Sequence, residues 1–397
     1  MRNFYYLLIG FLFLFLSTGW RPGNQSYENT QKAESAALVV SASSDGRYVV
    51  SSHLDNSLIL WDIESRSKKV IAENANIFSA YFVKGREIFV WQNLDDVVYA
   101  QRLNGEIVKS FKHFSTYGHV MDAALDGYVA SDATFNLYWG QGEDVRAIKQ
   151  DGNIPSFLGT GKLLNLSLNN DGTRLLSAGS GYDVADNIPI EESSPLQPEQ
   201  RYSNYAGVVV WDLPSGRPLF KLPGNSVKTN ATLSPDGQYV VSGCENSRVY
   251  VWNAKTGKRV LEVASLHFGI LNKNNSDDYE KWTFDDTGLI SPPEDLNASV
   301  GGATLAIKFI DQHHYLRFLT NSPYAVLFHV DNPLPLKYLY LGRDPLPAVR
   351  DYHRNAAMDT APEAGILVMG QQYGSGIIVY RYDAETQALD KVWVAGQ

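Results

Sequence analysis

Acidic side chains are concentrated in two stretches of this sequence, residues 181–205 and 265–301. Their net charges are −4 and −5, which together equal the −9 of the whole chain, so the remainder is close to neutral. A dense group of carboxylates focuses the electric field and can steer a cationic partner. The predicted partner-binding residues are Asp183, Asp186, Glu191, Glu192, Asp277, Asp278, Tyr279, Glu280, Trp282, Asp285 and Asp286.

Both acidic stretches also fit a second interpretation, as solvated and partly disordered excursions of the chain. The stretch 265–301 contains several aromatic residues, among them Tyr279 and Trp282, and aromatics at this density favour packing against another surface. The stretch 181–205 contains three prolines and fewer aromatics, so we expect it to be the less ordered of the two.

Metal and catalytic sites have little support in the sequence. Oxygen-bearing side chains in residues 272–286 are dense enough for calcium, but the glycine and glutamate spacing of an EF-hand loop is absent. His313 and His314 are adjacent, and neighbours on a strand point to opposite faces, which argues against a shared metal. Cys244 lies in a strand pattern and is expected to be a small buried hydrophobe. We therefore predict no catalytic residue, no metal and no cofactor.

The net charge of −9 also bears on the class of partner. A nucleic-acid binder needs a basic surface that displaces counterions from phosphates, and no such surface is evident here. We therefore expect another protein as partner, with a basic surface, and no nucleic acid.

The N-terminus has the layout of an export signal. Arg2 is followed by an uncharged apolar run over residues 4–16 and then by small residues at 17–19. Residues 1–19 are predicted to be a secretory signal peptide, with an uncleaved membrane anchor as the alternative. Residues 20–35 would form a linker. The expected location is the periplasm or cell envelope, with membrane contact only through this N-terminal segment.

A repeat of about 40 residues is clearest over residues 225–263. Residues 230–233 predict a short inner strand, and the Ser-Pro-Asp-Gly sequence at 234–237 predicts a tight turn. Three further strands are predicted at 238–243, 248–252 and 259–263. Four antiparallel strands in this order have the length of one propeller blade.

Related segments recur along the chain, and each places a large residue at the end of the third strand. The predicted anchors are Trp61, Asp62, Tyr99, Trp139, Trp211, Asp212, Trp252, Asn253 and Tyr380, with Phe328 or His329 in the sixth copy. Two intervals between anchors are long, 72 and 76 residues, so each holds an insertion rather than a missing blade. We therefore predict an all-β, seven-bladed propeller of four-stranded antiparallel blades over residues 36–397, with insertions at about 181–205 and 265–301.

The Trp-Asp pairs at 61–62 and 211–212, with Trp-Asn at 252–253, resemble those of the WD-repeat β-propeller family. The resemblance covers most of residues 36–393, and the N-terminal signal indicates an exported, bacterial member of the family. Two features of the family are not evident in the sequence: the Gly-His pair that often opens a repeat, and an internal His-Ser-Trp hydrogen-bonding set.

Both insertions are expected on one rim of the propeller. The first falls between the second and third strands of blade four, and the second between blades five and six. The resemblance and the acidic loops together favour a non-catalytic interaction scaffold of the cell envelope. The alternatives are a propeller enzyme, such as a lactonase or dehydrogenase, and a small-ligand or glycan sensor. Three inner-strand segments, 38–42, 165–168 and 230–233, are apolar or neutral, which argues against an enzyme.

Overall fold

A computed structural model of the 397-residue chain describes most of the region from Ala36 to Ala395. The described residues are 36–113, 118–131, 137–141, 144–147, 163–168, 173–179, 207–212, 217–222, 230–243, 249–263, 304–319, 324–341, 357–371 and 376–395. They form seven sheets, each of four antiparallel strands that follow one another in the sequence. The predicted seven-bladed propeller is confirmed.

The first four blades occupy the region between Ala37 and Leu222. Blade one contains β1 (Ala37–Ala42), β2 (Tyr48–His53), β3 (Leu58–Asp62) and β4 (Ser67–Ala72). Blade two contains β5 (Ala75–Phe82), β6 (Ile88–Asn93), β7 (Val97–Arg102) and β8 (Ile107–Lys112). Blade three contains β9 (Gly118–Met121), β10 (Gly127–Ser131), β11 (Leu137–Gln141) and β12 (Asp144–Ala147). Blade four contains β13 (Leu163–Leu168), β14 (Arg174–Gly179), β15 (Gly207–Asp212) and β16 (Arg217–Leu222).

The last three blades run from Asn230 to Val394. Blade five contains β17 (Asn230–Leu233), β18 (Tyr239–Gly243), β19 (Val249–Asn253) and β20 (Arg259–Val263). Blade six contains β21 (Thr304–Phe309), β22 (His314–Leu319), β23 (Tyr324–His329) and β24 (Asn332–Tyr340). Blade seven contains β25 (Met358–Ala361), β26 (Ile366–Gly370), β27 (Ile377–Asp383) and β28 (Ala388–Val394), with a 3-10 turn at Pro362–Ala364.

The ring closes by packing of blade seven against blade one, without exchange of a strand. The Asp359 carboxylate accepts a hydrogen bond from the Ala42 amide at 2.9 Å. Gly370 lies against Ala37 so closely that a Cβ added there would come within 2.8 Å of the alanine methyl. Because this contact leaves no room for a larger residue, a glycine at 370 is what lets the two blades meet.

The hydrophobic core lies between neighbouring blades. Trp61 of blade one packs in one cluster with Ile366 and Val379 of blade seven, and Trp252 of blade five packs with Leu176 and Val210 of blade four. Each large residue that ends a third strand therefore also fills the space between blades.

The seven inner strands all run in one direction, as their C-terminal ends show by lining a single cavity. These strands are β1, β5, β9, β13, β17, β21 and β25. We call the side with this cavity the turn face, since the inner strands end and the second strands begin there. The opposite side, where the inner strands begin and the second strands end, is called the insertion face.

Candidate interaction surfaces

Buried hydrogen bonds fix three of the tryptophan anchors to the second strand of their own blade. The indole N–H of Trp61 donates to Ser51 at 2.7 Å, that of Trp211 to Ser177 at 2.8 Å, and that of Trp252 to Ser242 at 2.9 Å. These bonds satisfy polar groups that would otherwise be buried without a partner.

Blade one contains the full His-Ser-Trp set that the sequence analysis did not find. The hydroxyl of Ser51 lies 2.7 Å from Nε2 of His53, in addition to its bond with Trp61. The expectation was wrong because the histidine stands two residues after the serine on β2, and not in a Gly-His pair at the start of the repeat. A serine ten residues before the tryptophan is the signal that could have revealed it, and blade five shares that spacing.

The polar residue that follows the tryptophan anchor holds the next turn in blades one and five. The Asp62 side chain accepts a hydrogen bond from the amide of Ser65, and Asn253 accepts from the amides of Lys255 and Thr256. Such side-chain acceptors replace the backbone partners that a reversal removes. The other predicted anchors, Tyr99, Trp139, Phe328 and Tyr380, each lie on the third strand of a blade.

The strand ends that flank both predicted insertions lie on the insertion face. Gly179 and Gly207 are register partners at the ends of β14 and β15. On the neighbouring blades, the side-chain amide of Asn230 donates to the Thr304 carbonyl at 3.3 Å, where β17 and β21 both begin. The described strand ends that flank the two predicted insertions therefore belong to blades four, five and six and share this face. The eleven predicted partner-binding residues, from Asp183 to Asp286, lie outside the described residues.

The described part of the insertion face carries exposed apolar residues beside acids. Leu54 and Leu94, in equivalent reversals of blades one and two, are 46% and 56% exposed. Each is followed directly by an aspartate, Asp55 or Asp95. Neither leucine is part of the core, so both are available for contact with another molecule.

The turn face contains a cavity of about 670 Å3 where the central channel opens. Its wall includes charged residues that the sequence analysis missed: Lys308 on β21, Asp359 on β25 and Lys84 in the turn after β5. The inner strands quoted in the sequence analysis are apolar or neutral, but those of blades six and seven are not. The single lysine in β21 (TLAIKF) and the single aspartate in β25 (MDTA) are the signals that could have revealed charged residues on these inner strands.

A tyrosine–histidine pair joins blades two and three beside this cavity. Tyr81 Oη lies 2.6 Å from Nδ1 of His119, whose ring stacks on Tyr128. Burial, reinforced by the neighbouring His113, lowers the pKa of His119 to about 3. The imidazole is therefore neutral at physiological pH and acts as a packed hydrogen-bonding group.

The side chains of the two adjacent histidines of blade six were expected to point to opposite faces, but they point towards the same neighbour. His313 lies in the turn before β22, so the rings of His313 and His314 both contact His329, at centroid distances of 5.8 and 5.0 Å. The strand rule failed because only His314 belongs to the strand. Within the described ranges, no group of three or more His, Cys, Asp or Glu side chains has an arrangement that could hold a metal ion. The calcium candidate at 272–286 and Cys244 lie outside those ranges.

Among the described residues, no helix has the length and apolar character needed to cross a bilayer. Residues 1–35, which hold the predicted signal or anchor and the linker, are outside the described ranges.

Comparison with known proteins agrees with this geometry. Residues 28–62 and 216–253 match the family described as "WD domain, G-beta repeat". The protein "WD repeat-containing protein 82" of Drosophila melanogaster is 25% identical over 222 residues, which cover 55% of this chain and 51% of that protein. This chain thus aligns with about half the length of that relative.

A solved structure extends the comparison to almost the whole ring. The Cps50 (Swd1) β-propeller domain of Myceliophteria thermophila matches 88% of this chain and 98% of its own, with a TM-score of 0.57 and 9% identity. At this identity the likeness concerns the fold alone. The matched repeats, the tryptophan anchors and the seven four-stranded blades agree: the chain is a seven-bladed β-propeller whose repeats at 28–62 and 216–253 are similar to those of the WD domain, G-beta repeat family.

Proposed function

We propose that this propeller is a non-catalytic scaffold of the cell envelope, exported through residues 1–19, that binds a basic surface of another protein through its insertion face. WD-repeat propellers generally act by binding other proteins rather than by catalysis. The observation that carries the proposal is the character of the insertion face in blades one and two. Leu54 and Leu94 are exposed there, and each stands next to an aspartate.

Exposed leucines beside carboxylates have the composition of an interface whose apolar centre contributes affinity and whose charges select the partner. The described residues that flank both acidic stretches lie on the insertion face. If the stretches extend from it, this face would carry a net charge of −9, equal to that of the whole chain. A partner with a basic surface would approach this face faster than the opposite one.

The test is capture of partners from envelope extract by three versions of the full-length chain. The first is the natural chain, and the second carries a short Gly-Ser link in place of residues 265–301. The third carries Leu54→Ser and Leu94→Ser together. A matched control replaces Val70, an exposed valine on the outer strand β4, with serine.

We expect a specific partner to be lost with the loop replacement and weakened at least tenfold by the double leucine change. The Val70→Ser protein should retain it, and raising the salt concentration should weaken capture, because exposed charges are screened. Equal capture by all four proteins, with folding verified by circular dichroism, would refute the insertion face as the binding surface. Recovery of the chain in the cytoplasmic fraction would refute the envelope location.

A further inference from the structure

We propose that the mouth of the central channel on the turn face binds a small organic anion, with a carboxylate or phosphate group held between Lys84 and Lys308. This site is separate from the insertion face and does not depend on the function proposed above. It rests on the position of Lys308, on the surrounding charges and on the size of the cavity.

Lys308 is the exception in a ring of equivalent positions. The penultimate residue of every inner strand lines the cavity. Six of these residues are uncharged: Ser41, Tyr81, Val120, Ser167, Thr232 and Thr360. The seventh is Lys308, so a single ammonium group faces an otherwise neutral ring.

The surroundings of Lys308 leave its ammonium group with unused hydrogen-bonding capacity. Among the described residues, no ion pair within 4.0 Å and no hydrogen bond connects it to a partner. Loss of hydration lowers the pKa of Lys308, and the Asp359 carboxylate opposes that shift. Loss of hydration likewise lowers the pKa of Lys84 at the cavity mouth, and the carboxylates of Asp359 and Glu363 oppose that shift. Both lysines line the cavity, and the Asp359 carboxylate acts on each of them, so the two cations lie near the same acid.

The acids in the wall are already engaged or lie at its edge. Both oxygens of Asp122 accept backbone hydrogen bonds, from Asp126 and Gly127. Asp359 uses one oxygen for the Ala42 amide, and Glu363 is exposed at the outer rim. An anion entering the cavity would thus find two ammonium donors and few competing acceptors, which favours charge-assisted hydrogen bonds.

The cavity has the dimensions of a ligand site. Its volume of about 670 Å3 falls within the range of roughly 300–1,000 Å3 that is usual for small-molecule pockets. Phe82, Leu233 and Phe309 contribute apolar wall, so a ligand with a carbon skeleton would fit better than a bare inorganic ion. The expected class is a small carboxylate or phosphate ester.

The experiment is isothermal titration of the purified full-length chain at pH 6.5 with citrate and with inorganic phosphate as probes, and with glycerol as the uncharged control. We expect saturable binding of at least one anion and none of glycerol. The citrate and phosphate arms distinguish a carboxylate site from a phosphate site.

Three variants test the assignment. Lys308→Met should weaken binding at least tenfold, and Lys84→Met, at an exposed position, should weaken it several-fold. Asp359→Asn keeps an acceptor for the Ala42 amide but removes the nearby negative charge, so it should tighten binding. Lys69→Met, on the outer strand β4, should change nothing. Absence of saturable binding, or equal affinities in all four variants, would overturn the proposal.

Discussion

Ser51 is a small residue on which two larger buried groups depend. Its hydroxyl is bonded both to the Trp61 indole and to the His53 ring, and all three side chains are buried. Ser51→Ala should destabilise the protein by about 1–3 kcal/mol, because the buried indole N–H loses its acceptor and the buried imidazole loses its hydrogen bond with the hydroxyl. The midpoint of urea unfolding, followed by tryptophan fluorescence, measures this loss.

Ser65→Ala is the matched control for that change. The Ser65 hydroxyl is bonded only to Ser67 in an exposed turn of the same blade, so its removal should alter stability by less than about 0.5 kcal/mol. If the two serine variants unfold at the same urea concentration, the His-Ser-Trp set contributes nothing to the stability of blade one.

His119 makes stability depend on pH. Its pKa is about 3 in the folded protein because of burial and the nearby His113, whereas an unfolded histidine titrates near 6.5. Between these values the unfolded chain binds a proton that the folded chain does not. Stability should therefore fall as the pH is lowered from 6.5 towards 3, by up to about 1.4 kcal/mol per pH unit from this residue, and stay flat above 6.5.

A His119→Phe variant isolates that contribution, because phenylalanine keeps the stacking on Tyr128 but cannot titrate. Thermal unfolding between pH 4.5 and 7.5 should show a shallower loss of stability in the variant than in the natural chain. Carboxylates such as Asp311, whose pKa is lowered by hydrogen bonds from His314 and His313 despite partial burial, act equally in both proteins. Parallel curves would show that His119 is not buried as a neutral ring.

At the scale of the strand, the strand bounds were predicted best where turn residues mark the ends of the strands. The strands predicted for blade five at 230–233, 238–243, 248–252 and 259–263 agree with β17 to β20 to within one residue. Ser234 and Asp236 explain this accuracy, since their side chains bond to each other and to the amides that follow. The local sequence therefore encodes the turn, and the turn sets the register of the strands on either side.

Contacts between distant blades could not be predicted in this way. Ala42 and Asp359 are 317 positions apart and meet only because the ring closes. Lys308 and Lys84 likewise come together only through closure, so neither their shared cavity nor its charge follows from any local pattern. The role of the two acidic stretches in binding was predicted from their composition alone, and it remains a prediction.

At the scale of the whole molecule, the propeller holds two proposed sites on opposite faces of one ring. Each inner strand has four to eight residues, and six extended residues separate the faces by about 20 Å. The space between blades is filled by buried side chains such as Trp61 and Trp252, which leaves little freedom for one face to move without the other. Such a scaffold should present its two sites as independent binding surfaces.

This independence is itself testable, because coupling requires an element with two arrangements that both ligands bias. Between the channel mouth and the reversals at Leu54 and Leu94 lie antiparallel strands with buried side chains, and such packing disfavours a second arrangement. Replacing residues 265–301 should leave anion affinity within twofold, and Lys308→Met should leave partner capture unchanged. Titration and capture with the single and combined variants measure both effects. A shift in anion affinity on loop replacement would show that binding at one face is transmitted through the ring to the other.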